Sequence, residues 1–143
     1  MSGDFTEIIL PARFSALPGL FSRLREWPIP AGDDLYQRLE LVIEELLTNT
    51  ISYGYGRECD SPVRLTLQPI AERLILTYAD QAPAFDTASG NPARDTDTPG
   101  GFGLELLHGL SASFTYRRGG EWNVSTLIFL LPEAAFIKAP KNI

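Results

Sequence analysis

The chain has 143 residues, 44% of them hydrophobic and 21% charged, which suits one domain with one core spanning residues 1–143 and leaves no tract of disorder-prone composition. Its formal net charge of −6 argues against a direct nucleic-acid surface, which needs a basic patch, but still permits phosphates held by backbone N–H groups and a metal.

Phe5–Leu10, closed by Pro11, reads as a first strand at a sheet edge. Ala16–Trp27 places Leu17, Leu20, Phe21 and Leu24 at helical spacing, with Ser15 as its cap and Pro28 and Pro30 as its stop. A longer helix is predicted over Leu35–Gly56, with Asp33 or Asp34 at the positive end of its dipole and Gly54 and Gly56 at its exit. Leu35, Leu39, Val42, Ile43, Leu46 and Thr50 form its buried stripe, and Ile51 falls outside it. Glu45 and Asn49, four residues apart, share one face beside that stripe, while Glu40 and Glu44 face solvent.

Cys59, the single cysteine, lies in the polar loop Arg57–Ser61 and excludes an internal disulfide framework. Val63–Gln68 and Arg73–Ala79 alternate as an antiparallel hairpin around a turn at Pro69–Glu72, and the second strand runs into Asp80. Gln81–Pro99 is rich in turn residues and long enough for a functional lid. Gly100-Gly101-Phe102-Gly103 then opens a helix over Leu104–Leu110. Two more strands, Ser113–Arg117 and Trp122–Leu131, meet at Arg118–Gly120. The expected class is α+β: a two-layer α/β sandwich with a mostly antiparallel mixed sheet of about five strands, one face covered by three helices. No basic start followed by a long apolar run opens the chain, and the longest apolar stretch is strand-sized, so a cytoplasmic protein without membrane contact is expected.

Three elements carry unusual polar content. Glycines at a helix entry let backbone N–H groups approach an anion, and a phosphate is the natural guest; a plain helix-entry turn has the same sequence. Asp80 suits an amino-group donor such as adenine, or simply a turn. Asn49 offers magnesium a neutral oxygen, or bonds local backbone. Glu45 is placed to take a proton from an attacking hydroxyl in phosphoryl transfer, although from spacing alone a solvated helical Glu is favoured.

In this order the elements resemble the GHKL nucleotide-binding superfamily, and more narrowly the anti-sigma regulatory factors, its serine/threonine protein kinase branch. EELLTNTISYGY resembles the N-box, DQAPAFD the first glycine box and GGFGLELLHGLSASFTYRR the second. The resemblance implies ATP and Mg2+ as cofactors, with Asn49 as metal ligand and Glu45 as catalytic base. It implies that Asp80 reads the adenine amino group, that Phe85 and Asp86 continue the first box, and that Gly100, Gly101, Phe102 and Gly103 face phosphate. Thr126 would be a polar residue near the adenine on a late strand. Family members commonly dimerise, bind a sigma factor and phosphorylate a small antagonist (an anti-anti-sigma protein). The alternative is a non-catalytic ATP-binding or purely protein-binding partner-switch module. Ala82 leans toward the alternative: it stands where the first box has a glycine, and is expected to restrict the backbone and set a methyl near the adenine.

Overall fold

The computed structural model describes residues 6–26, 32–83 and 109–131. Strand β1 (Thr6–Ala12) leads through a short 3-10 turn, Phe14–Ala16, into helix α1 (Leu17–Glu26). Ser15 lies inside that turn rather than capping the helix. Helix α2 (Gly32–Asn49) follows and continues into a π-helical turn, Thr50–Tyr55, that Gly56 ends at φ 80°. The hairpin β2 (Cys59–Ile70) and β3 (Arg73–Asp80) comes next, and a second hairpin, β4 (Ser113–Gly119) and β5 (Trp122–Leu130), completes the described chain.

The strands form one sheet in the order β1-β2-β3-β5-β4, with every described pairing antiparallel. β1 is an edge strand, as its proline requires: Pro11 pairs with Pro62 and the register shifts immediately after it. The other proline of β2, Pro69, lies past the Thr6–Leu67 pair, where among the described residues β2 pairs with β3 only. The β2–β3 strands extend closer to the turn than the sequence suggested. Ile70 pairs with Arg73, and Ala71 takes φ 55° at the first turn position. A left-handed alanine costs about 1–2 kcal/mol.

One face of the sheet is the core. Ile8, Leu10, Val63, Leu65, Leu67, Leu74, Leu76, Leu127 and Phe129 point inward at alternate positions and join the buried residues of α1 and α2 in a single cluster. The opposite face is more exposed, with Ile9, Ile70 and Leu130 open to solvent. Of the three expected helices, α1 and α2 are described. Gly109 and Leu110 are helical, and the rest of the third, Leu104–His108, lies outside the described residues.

Packing corrects two details of the α2 stripe. Leu47 is fully buried and completes the row Leu39–Ile43–Leu47–Ile51 at four-residue spacing, which gives Ile51 its place in the core. Glu40 is also engaged rather than solvated. It accepts a hydrogen bond from Arg25 Nε at 3.0 Å, while Arg25 Nη1 reaches Asp33 at 3.2 Å and the guanidinium lies 4.9 Å from the Tyr36 ring centre. These contacts dock α1 on α2. The antiparallel register brings the end of β3, the start of β5 and the end of β4 side by side at one end of the sheet. The exit of α2 meets them there through Thr50.

Candidate functional site

Asp80 is the last residue of β3 and is 7% exposed. Burying a carboxylate requires donors, and three converge on it. The Ala82 N–H donates to Oδ1 at 3.1 Å, Asn123 Nδ2 donates to the same oxygen at 2.8 Å, and the Thr50 hydroxyl donates to Oδ2 at 2.6 Å. Asn123 sits directly opposite Asp80 in the β3–β5 ladder, so its placement follows from register. Its amide orientation is fixed by its other neighbours. Tyr116 Oη and Arg118 Nη1 both donate to Oδ1, at 2.7 and 2.9 Å, which turns the NH2 group toward Asp80 and the Ala82 carbonyl.

The Thr50 hydroxyl has one proton. Its Oγ1 lies 2.6 Å from Asp80 Oδ2, 2.7 Å from Tyr78 Oη and 3.1 Å from the Leu46 carbonyl. Carboxylate oxygens only accept, so the proton goes to Asp80 and Tyr78 donates to Thr50. Burial, and then the charge of Asp80, push the Tyr78 phenol well above its ordinary value, which keeps it a donor. Tyr78, Thr50 and Asp80 thus form a relay in which each hydroxyl points toward the carboxylate. A small recess opens beside it, and Leu46, Tyr116, Asn123 and Ser125 complete the wall.

Asn49 precedes Thr50 and is 1% exposed. Among the described residues neither its Oδ1 nor its Nδ2 has a hydrogen-bond partner. A buried carboxamide left without partners costs about 1–3 kcal/mol for each lost bond, so it marks a place where a ligand or water is expected. The Tyr55 hydroxyl, one turn on, is buried and unpartnered in the same sense. Glu45 is part-buried one turn before Asn49, on the same side of α2.

A model of the histidine kinase-like ATPase domain matches residues 10–129, most of the chain. The chain belongs to that family. Serine/threonine-protein kinase BtrW of Bordetella bronchiseptica is 33% identical over 94 residues, a stretch covering 62% of this chain and 66% of that protein. Among solved structures, the RsbU and RsbW domains of a Mycobacterium tuberculosis protein match 90% of this chain and 32% of theirs, at a TM-score of 0.65 and 17% identity. The catalytic domain of histidine kinase ThkA matches 90% of this chain and 96% of its own, at a TM-score of 0.53 and 14% identity. At such identities the structural likeness speaks for the fold, which is the α+β class expected from the sequence.

Domains of this family are ATPase-like, and two features of the described residues leave polar groups open to a ligand or water: the small recess beside Asp80, with room for about one water, and the orphaned carboxamide of Asn49. No group of three or more His, Cys, Asp or Glu residues gathers among the described residues. A magnesium ion held by Asn49 would therefore draw its other ligands from phosphate and water, as that ion commonly does. Phe85, Asp86, Gly100, Gly101, Phe102 and Gly103 lie outside the described residues, as does most of the predicted lid.

Ala82 does not behave as its place in the glycine box suggested. Its backbone is not in the left-handed region, so no glycine is required there. Its methyl is buried against Gly54 of the π-turn: a Cβ built on Gly54 would lie 2.8 Å from Ala82 Cβ. The recess is walled by other residues. The missing side chain at position 54 thus accommodates the extra methyl at position 82.

Thr126 also departs from expectation. It pairs with Thr77 and Thr115, one position out of step with Asp80, and so lies on the opposite face of the sheet. Ser125, opposite Tyr78, is the late-strand hydroxyl that borders the recess. Sequence reasoning missed Asn123, Ser125 and Tyr78 as site residues and treated Thr50 only as part of the stripe. The signal was available in part. Asn123 and Ser125 alternate with the inward Leu127 and Phe129, and polar residues on an otherwise apolar face call for a buried polar partner.

Proposed function

We propose that this domain binds ATP with magnesium and acts as a partner-switching serine/threonine protein kinase of the anti-sigma type. The observation that carries the reading is the juxtaposition of two incomplete polar sites at one end of the sandwich. Asp80 is fixed beside a recess, and Asn49 is buried with an unfilled carboxamide, joined to it through the adjacent Thr50. In this reading Asp80 accepts from the adenine amino group and Asn49 holds the metal. Glu45 takes the proton of the attacking serine hydroxyl. Gly100, Gly101, Phe102 and Gly103 approach the phosphates, with Phe85 and Asp86 continuing the adenine side. Magnesium, when bound, neutralises charge on the transferring phosphoryl group.

The relatives support the class of partner. BtrW is named a serine/threonine-protein kinase, and the mycobacterial structure carries an RsbW domain beside an RsbU domain. The proposed partners are a small antagonist that receives the phosphate and a sigma factor released or captured as the antagonist changes state. A homodimer and a cytoplasmic location belong to the same proposal. No helix among the described residues is long and apolar enough to cross a membrane. The test is calorimetry with ATP and magnesium, followed by transfer from labelled ATP to a cognate antagonist. Magnesium-dependent binding with serine phosphorylation supports the reading. Binding without transfer to any tested antagonist selects a non-catalytic switch, and absence of binding overturns both.

A further inference from the structure

No described helix packs on the outer face of the sheet, because the buried residues of α1 and α2 join those of the inner face. Register sorts the outward side chains into rows. Arg64, Ala79, Val124 and Arg117 lie side by side across β2, β3, β5 and β4. Two residues along the strands come Thr66, Thr77, Thr126 and Thr115, and the next row holds Gln68, Ile75, Ile128 and Ser113. Ile70, Arg73 and Leu130 end the series. The adjacent strands β3 and β5 thus carry a stripe of alanine, valine, isoleucine and threonine methyls, flanked by polar groups on β2 and β4. The charged side chains in these rows are Arg64, Arg73 and Arg117, with Glu7 on the edge strand beside Thr66 as the one acid. Glu7 is already engaged, 3.5 Å from Arg64 Nε, and the Arg64 guanidinium lies 4.6 Å from the Trp122 ring centre. Arg73 and Arg117 have no ion pair among the described residues. A chain of formal net charge −6 therefore presents one basic face with an apolar centre.

We propose that this face is a docking surface for an acidic amphipathic helix of another protein, lying along the β3–β5 stripe with carboxylates reaching Arg73 and Arg117. The surface is independent of the nucleotide reading. Its dimensions suit a helix. Two adjacent strands span about 10 Å, and a helix with its side chains is about 10–12 Å across. From Val124 to Leu130 the stripe runs about 20 Å, the length of a helix of roughly 13 residues. Charge selects the occupant. A second copy laid face to face would set arginine-bearing surfaces together with only Glu7 to offset them, so a homodimer uses another surface. The chain's own residues 132–143 carry Lys138 and Lys141 against a single acid, Glu133, and do not complement it. Nucleic acid calls for a denser basic patch than three arginines around an apolar stripe. An acidic helix meets both needs: its apolar side chains cover the isoleucines and threonine methyls, and its carboxylates meet the arginines.

The probe is a synthetic helical peptide of about 14 residues, with leucine on one stripe and glutamate along both flanks, beside a matched peptide bearing lysine in place of glutamate. Fluorescence anisotropy with the full chain measures affinity, and NMR shifts of the Ile75, Val124 and Ile128 methyls locate the contact. Elsewhere the negative chain attracts the lysine peptide, so a preference for the glutamate peptide reports this face. The glutamate peptide is expected to bind about tenfold tighter than the lysine peptide, and Arg73→Glu with Arg117→Glu is expected to weaken it about tenfold. Both positions are exposed, so these variants are expected to fold. Arg73→Lys with Arg117→Lys keeps the charge and is expected to hold affinity within about threefold. Thr126→Glu sets a carboxylate in the middle of the stripe and weakens the glutamate peptide without removing an arginine. Equal affinity for the two peptides, no binding up to about 1 mM, or methyl shifts confined to other surfaces overturns the inference. Self-association in sedimentation that Thr126→Glu abolishes also overturns it, because a second copy then covers the face. Binding to phosphatidylserine vesicles that Arg73→Glu with Arg117→Glu removes would give the face to a lipid surface, and overturns it as well.

Discussion

Gly54→Ala is the most informative single perturbation of this domain. The added methyl would sit 2.8 Å from Ala82 Cβ, a separation that real carbon contacts do not tolerate. Neither carbon is the end of a flexible side chain, so the π-turn or the strand exit after Asp80 must shift. Overpacking of this kind costs about 1–3 kcal/mol. Replacing a helical glycine returns roughly 0.5–1 kcal/mol of backbone entropy, and the net expectation is a loss of about 1–2 kcal/mol. Ala82→Gly alone removes a buried methyl and costs about 1 kcal/mol. Together the two swap the small residue from one side of the contact to the other. The double variant is therefore expected to be more stable than the sum of the singles by about 1–2 kcal/mol. Urea unfolding followed by circular dichroism measures all three, with an unchanged denaturant slope as the check that only stability moved. A double variant additive to within about 0.5 kcal/mol would refute the claim that the two positions share one space. In the proposed function Gly54→Ala also weakens ATP binding, because Ala82 donates to Asp80 and its carbonyl accepts from Asn123.

Further outcomes follow from the same contacts. Asn49→Leu removes the buried orphan carboxamide and is expected to raise ligand-free stability by about 1 kcal/mol. In the same variant ATP and magnesium no longer raise the melting temperature; a lower ligand-free stability would show that the carboxamide is satisfied in solution. Glu45→Ala is expected to leave magnesium-dependent ATP binding largely intact and to abolish phosphate transfer, and equal loss of binding with Asn49→Ala would contradict separate roles for the two residues. Tyr78 has its folded-state pKa raised above the unfolded value. The neutral phenol therefore stabilises the fold fully below about pH 10, and that contribution is lost as pH rises above it. Ultraviolet difference titration should show Tyr78 ionising only with alkaline unfolding, and normal titration of all five tyrosines in the folded state would exclude its burial. Ala71→Gly relieves the left-handed alanine of the β2–β3 turn and should raise the urea midpoint by the equivalent of about 1 kcal/mol.

Much of this protein was legible before any coordinates. Periodicity alone located α1, α2 and the two hairpins, because an amphipathic helix and a half-buried strand write their burial directly into residue spacing. Pro11 marked an edge strand because proline cannot donate to a ladder. Asp80 and the spacing of Glu45 and Asn49 stood out as polar content beside apolar stripes. What spacing does not contain is which residues face each other across separate elements. Asn123 meets Asp80 only through the β3–β5 register, and a shift of one residue would have put Trp122 or Val124 there instead. Thr50 reaches Asp80 only because the helix exit packs over the end of the sheet. Ala82 read as a defect in a glycine box because a one-dimensional pattern records a missing glycine and not where the methyl goes. The tertiary structure places that methyl against Gly54, twenty-eight residues earlier in the chain, where the absence of a side chain makes room for it.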